Sequence, residues 1–186
     1  MSIEDRPFGP LRIAVIVGST REGRVGGDVA GWFLAIARRR ADIDLTVLDL
    51  AEFDFPQCYP EAATPQMTSF TRAIERADGY VIVTPEYNRS FPASLKQAVD
   101  YAYDEWHAKP VAFVSYGCRG RGHYAVSALR VVFTELHTTT VRDEVGIDLL
   151  APRSDKDERA VTTMLDQLTW WARALREARA AHPYIA

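Results

Sequence analysis

Cysteine is nearly missing: the 186 residues contain two, Cys58 and Cys118. Two in a chain of this length do not form a disulfide framework. Neither has a CxxC neighbour. Neither opens a C-x5-R phosphatase loop, because Thr64 and Tyr124 stand where the arginine would be. Apolar runs of the ~18 residues needed for a membrane span are also lacking. The opening MSIEDRPFGP has two prolines, two acids and no apolar stretch, so it is not expected to be a secretion signal. An excess of one charge is missing too. Lysine and arginine number 22 against 25 acids, a net charge of −3, which gives no basis for a sequence-independent grip on nucleic acid. The local run Arg38–Arg40 is expected to be a solvated helix end. The histidines, at positions 107, 123, 137 and 182, show neither HExxH nor H-x3-H spacing, so no metal is assigned. These absences predict a cytoplasmic protein with neither nucleic acid nor membrane as partner.

What is present is alternation. Short β-branched runs at 11–18, 44–50, 79–85, 110–117 and 138–143 predict five strands. Between and after them, helical spacing predicts helices over 25–40, 65–77, 91–104, 122–136 and a last one opened by a Ser154–Asp157 capping box. In the first, Val25, Val29, Trp32, Phe33 and Ile36 recur at helical spacing; in the last, the apolar set includes Trp171. A proline-rich stretch, AEFDFPQCYPEAATP, is expected as a long loop with exposed Phe53 and Phe55. Alternation of this kind implies a parallel sheet with helices on both faces. Five strands in one α/β domain fit a three-layer, doubly wound fold with order 2-1-3-4-5. The expected organisation is a flexible tail over 1–10 and a single domain over 11–186. Ligands of such sheets bind beyond the carboxyl ends of the strands, so the loops after strands 1, 3 and 4 carry the information.

The first of these is GSTREGRVG, 18–26. Gly18 and Gly23 have the spacing of a nucleoside-triphosphate loop, but Arg24 replaces its lysine and Val25 its magnesium-binding hydroxyl. What remains suits one terminal phosphate: hydroxyls from Ser19 and Thr20, guanidiniums from Arg21 and Arg24, and the positive end of a helix. A plain strand-to-helix turn with ordinary capping is the alternative. The second loop, TPEYNRSFPASLKQAVD, offers the stiff Pro85, then Glu86, the flat Tyr87, and Asn88, which tolerates left-handed backbone. Such a loop can grip the edge of a planar heterocycle; Ser90 and Pro92 also suit the start of a helix. The third, SYGCRGRGHYAV, has three glycines in six residues after a buried strand, which suits a ligand wall of Ser115, Tyr116 and Gly117.

Together VGSTREGRVG, TPEYNRSFPASLKQAVD and SYGCRGRGHYAVSALR resemble the signature segments of the NAD(P)H-dependent FMN reductases, a flavodoxin-like family that includes quinone, azo-dye and chromate reductases. The resemblance runs from about residue 11 to 145. It implies FMN as cofactor and NADPH or NADH as hydride donor. It implies that Gly18, Ser19, Thr20, Arg21, Arg24 and amides through Val25 hold the FMN phosphate. Pro85, Glu86, Tyr87 and Asn88 would line the isoalloxazine with Ser90 close by, and Ser115, Tyr116 and Gly117 would complete the wall. No catalytic side chain is expected, since the flavin carries the hydride chemistry. Flavins, quinones, nitroaromatics and azo compounds are the implied acceptors, by ping-pong kinetics, and a homodimer or homotetramer is the implied assembly. One departure is Cys118, where relatives often have glycine; a small buried side chain is expected there. Competing readings are a flavodoxin-type electron carrier without NAD(P)H oxidation, a nucleotide-handling enzyme built on the near-miss phosphate loop, and a paralogue that has lost FMN.

Overall fold

β-branched runs become the buried centre of one parallel sheet in the computed structural model, which describes residues 9–185. The strands are β1 (Leu11–Val17), β2 (Ile43–Asp49), β3 (Gly79–Pro85), β4 (Pro110–Gly117), β5 (Thr139–Thr140) and β6 (Val145–Asp148). Their order is β2-β1-β3-β4-β5, with β6 also paired to β4. All pairs are parallel, as crossover connections require. The helices are α1 (Gly26–Ala37), α2 (Pro65–Arg76), α3 (Ala93–Asp100), α4 (His123–Glu135) and α5 (Asp155–Ala181).

The two-residue period of β1 divides the core. Ile13, Val15 and Val17 join Phe33 of α1 and Leu165 and Leu168 of α5 on one face. Ala14 and Ile16 join Phe70 of α2, Leu95 of α3 and Leu129 of α4 on the other. A strand buried on both faces is apolar throughout, which is why β3 reads as one continuous run. This is the expected flavodoxin-like three-layer fold.

Four local expectations change. The third helix stops at Asp100, and a 3-10 turn, Asp104–Trp106, follows. Trp106 turns fully inward there, its indole N–H bonded to Val99 O at 3.1 Å and its ring edge-on to Tyr80. The fifth strand is broken in two around residues 141–144. Arg130 takes the carbonyls of Val141 (2.7 Å) and Arg142 (3.0 Å), and Gln167 takes the Asp143 N–H (3.2 Å) and carboxylate (2.6 Å). Side chains thus satisfy backbone groups that a ladder would otherwise claim. Phe53 and Phe55 are half-buried, stacked at 5.3 Å and both edge-on to Phe70. Arg40 is tied to Asp42 and Asp166 rather than simply solvated. Of the tail expected over 1–10, residues 1–8 lie outside the described residues; Arg176 reaches the carbonyls of Gly9 and Pro10. No helix among the described residues is long and apolar enough to cross a membrane.

Candidate functional site

The register sets Val17 beside Val83 and Pro85 beside Tyr116, so the loops leaving β1, β3 and β4 emerge side by side. The first is pinned at its root. Gly18 N–H donates to Val83 O at 2.9 Å, and the Ser94 hydroxyl donates to Gly18 O at 3.0 Å. Ser19 is fully buried, and the Tyr116 phenol donates to its Oγ at 3.1 Å. Burial pushes that phenol up to about 12, offset in part by Ser19, so it stays protonated and donating. A Cβ at residue 26 would lie 2.2 Å from Ser19 Oγ and 2.7 Å from the Tyr116 hydroxyl oxygen; only glycine lets α1 begin this close.

Above this floor the backbone is open. Among the described residues, Arg24 N–H, on Arg21 O at 3.2 Å, is the only amide between Ser19 and Val25 with a backbone acceptor. Val25, the residue before α1, supplies no side-chain cap. A helix start with free amides and a partial positive charge is an anion site in waiting. Thr20 and Arg21 are exposed at it, and Val25 faces outward rather than into the core. Arg24 is differently placed. It forks onto both Asp49 oxygens (2.8 and 2.6 Å) and onto Ser19 O (2.9 Å). Its guanidinium is held above its ordinary range by the hydrogen bonds it donates to Asp49. Arg24 therefore braces the loop against the end of β2, with part of its donor capacity already engaged. Asp49 lies outside the three loop motifs; its signal in the sequence is its position as the acid that closes β2.

In the second loop, Pro85 is buried and Glu86 N–H donates to Tyr116 O at 3.1 Å. Tyr87 and Ser90 exchange backbone hydrogen bonds at 2.8 and 2.9 Å. Between them Asn88 (φ 51) and Arg89 (φ 64) both adopt left-handed backbone, the pattern of a type I′ turn. The left-handed Asn88 is as expected; Arg89 is not. Arg21 crosses from the first loop to lie 4.7 Å over the Tyr87 ring. Glu86 is directed to the third loop, where its carboxylate accepts the Tyr124 N–H at 3.2 Å and caps α4. There the Ser115 hydroxyl donates to Arg121 O at 2.8 Å. Gly122 (φ 88) lies so close that a Cβ would meet Ser115 Cβ at 2.5 Å. Gly117 is half-buried beside it, and its carbonyl accepts the Leu149 N–H at 3.2 Å. Cys118 is exposed, not the small buried side chain expected, because the loop turns outward at Gly117.

The fourteen expected ligands thus gather on three adjoining loops but divide in role. Thr20, Arg21, Tyr87, Asn88 and Ser90 have surface to offer. Ser19, Ser115, Tyr116 and Glu86 act as struts between loops. A groove of about 860 Å³ adjoins the second loop, lined by Tyr59, Ser90, Phe91, Ser94, Gln97 and Tyr101.

Comparison with known proteins places this geometry. Residues 11–151 match the family model described as NADPH-dependent FMN reductase. The chain is 42% identical over 123 residues to NAD(P)H-dependent FMN reductase ntnL of a Nectria species, covering 59% of this chain and 61% of that one. It is 33% identical over 185 residues to 2-hydroxy-1,4-benzoquinone reductase of a Burkholderia species, covering 89% and 98%. The matches to the Nectria relative and to its Schizosaccharomyces pombe counterpart span only 61% and 62% of those proteins' lengths. Among solved structures, the flavoenzyme NAD(P)H:(acceptor) oxidoreductase FerB of Paracoccus denitrificans superposes with a TM-score of 0.70 at 21% identity, over 90% of this chain and 98% of that one. With three signature loops on a flavodoxin-like sheet and a family match across most of its length, this chain belongs to the NADPH-dependent FMN reductase family.

Proposed function

We propose that the chain is an NAD(P)H-dependent flavin or quinone oxidoreductase whose FMN lies across the three loops. The observation that carries this is the uncapped start of α1, with free amides beside the exposed Thr20 and Arg21. Those groups fit one phosphate monoester: hydroxyl and amide donors, one unpaired guanidinium, and the helix end. They do not fit a magnesium triphosphate, since Val25 stands where the metal-binding hydroxyl would be. FMN, when bound, supplies the two-electron chemistry that accepts hydride from NAD(P)H and passes it to a flavin, quinone or other flat acceptor.

The chain's own residues bind and orient. Gly26 and Ser19 set the depth of the phosphate seat, with Tyr116 holding Ser19 from below. Arg24 and Asp49 fix the loop's far side. The type I′ turn at 87–90 presents a rigid edge, and Tyr87 gives an aromatic face against which a planar ring can rest. The neighbouring groove, with Tyr59, Phe91 and Tyr101, suits a flat partner ring.

The test is the purified protein's visible spectrum followed by NADPH and NADH oxidation with a quinone. The expected outcome is a bound flavin near one per chain and parallel-line kinetics when both substrates are varied. A flavin-loaded protein that oxidises neither nucleotide would instead be a flavodoxin-type carrier, and a colourless one with magnesium-dependent ATP turnover would end the proposal.

A further inference from the structure

Three guanidiniums on the second and third loops have no acidic partner. Arg89, Arg119 and Arg121 are exposed, and among the described residues none lies within ion-pair distance of a carboxylate. They share this with other exposed arginines, among them Arg21, Arg38, Arg72, Arg76 and Arg159, whereas Arg24, Arg40, Arg130, Arg153 and Arg173 are each paired with an acid; what sets the three apart is their backbone. All three loop arginines have positive φ, at 64, 67 and 53, a region that side-chain-bearing residues other than Asn, Asp and His seldom enter. Such outliers persist where the surroundings hold them, and they cluster at ligand clamps.

Arg89 is the best fixed of the three. Its turn is closed by two backbone hydrogen bonds, and its guanidinium carbon lies 4.6 Å over the Tyr124 ring. The backbone that carries Tyr124 is anchored, because Glu86 accepts its N–H at 3.2 Å. Arg119 sits in the adjoining turn, next to Gly120, whose Cβ position is 3.7 Å from that same Glu86 oxygen. A stacked guanidinium is already oriented and keeps its N–H edge available, so it loses little freedom on binding. Its fork matches a phosphate rather than a lone carboxylate oxygen or a neutral ring. The Tyr124 ring, 48% exposed, adds apolar surface for a nucleoside beside that phosphate. FMN's single phosphate is already matched by the first loop, whose Arg21 lies over a different ring, Tyr87.

We propose that Arg89, seated on Tyr124 and backed by Arg119, binds the 2′-phosphate on the adenosine of NADPH and so makes the chain prefer NADPH to NADH. The inference rests on NAD(P)H being the hydride donor, as proposed above. The 2′-phosphate carries about −1.5 to −2 charge and three acceptor oxygens, and NADH lacks it.

The test uses the FMN-loaded protein and its Arg89→Gln, Arg89→Lys and Arg119→Ala variants, with kcat/KM measured for both nucleotides against one quinone. Loss of one charge-assisted fork predicts a fall of about tenfold or more in the NADPH-to-NADH ratio for Arg89→Gln, carried by KM for NADPH. Arg89→Lys, which keeps the charge but not the fork, falls between. Adenosine 2′,5′-bisphosphate is expected to inhibit the parent protein more strongly than ADP, and to lose that advantage in Arg89→Gln. A ratio unchanged to within about twofold, or equal inhibition by the two nucleotides, would mean that Arg89 meets the shared pyrophosphate or nothing, and overturns the inference while leaving the oxidoreductase reading standing. A parent protein that oxidises neither nucleotide overturns both.

Discussion

Single residues at the candidate site divide into those with surface to offer a ligand and those that hold the others in place, and the two kinds should fail differently. Among the described residues, the Arg21 side chain has only the Tyr87 ring as partner. Arg21→Ala is therefore expected to raise the Kd for FMN by about tenfold or more while moving the apoprotein's unfolding midpoint little, measured by flavin fluorescence and thermal denaturation. Gly26 is the opposite case. A methyl group there collides with both Ser19 Oγ and the Tyr116 phenol. Gly26→Ala is expected to destabilise the apoprotein by about 1–3 kcal/mol as well as impair flavin retention, and unaltered stability would contradict the close approach. Legibility follows the same division. Thr20, Arg21, Tyr87 and Asn88, which have surface to offer, come as local motifs and are legible in the sequence as candidates. The struts are not: Arg24 to Asp49, Tyr116 to Ser19 and Glu86 to Tyr124 join residues 25, 97 and 38 apart, and no local pattern announces such pairs.

Whole elements are clasped together by charge at the end of the sheet away from the site. Asp78, before β3, is buried; it accepts from the Arg12 N–H of β1 at 2.9 Å and from the Arg12 side chain, and lies near Arg176 and Arg179 of α5. Burial alone would raise its carboxyl, but the hydrogen bonds and charge of Arg12, with Arg176, hold it below the ordinary carboxylate range. The unfolded chain then binds the proton first as pH falls. Asp78 contributes its full stability above the unfolded value of about 3.9 and loses it as pH drops through the lower folded value. Asp78→Asn is expected to cost ~3 kcal/mol near neutral pH and to flatten the acid limb of a denaturation series; an acid limb as steep as the parent's would rule out this clasp. At this scale the sequence was informative wherever period decided the element. The central strands and the capping box at Ser154, whose N–H and hydroxyl both reach Asp157, appear within a residue or two of expectation. Period had no hold on the fifth strand, since its break depends on Arg130 and Gln167 arriving from other helices.

For the molecule as a whole, a flavin seated between three loops should bind the folded chain alone. At a hundred times its Kd, FMN is expected to stabilise the protein by ~2.7 kcal/mol, a rise of roughly 5–10 °C in Tm. A Tm indifferent to FMN would speak against the site. Assembly is also expected to show at this scale. Of the tryptophans, Trp106 belongs to the core, whereas Trp170 and Trp171 stand out at 62% and 38% exposure, edge-on to each other. Light scattering is expected to give the mass of two or four chains, and a stable monomer at working concentration would exclude that assembly. The surface on which copies would meet has no counterpart in periodicity.

The broken strand bears on how this protein behaves when crowded. An uninterrupted outer strand offers a row of unpaired N–H and C=O groups on which a foreign backbone can add. On the β5 side that row is too short to template anything, two residues and then four, separated by backbone already claimed by Arg130 and Gln167. The β2 side keeps a full seven, interrupted only by the carboxylates of Asp44 and Asp49. Sheet-to-sheet aggregation, if conditions force it, has one rim to start from, where Asp44 stands as an exposed carboxylate and Asp49 is already engaged by Arg24.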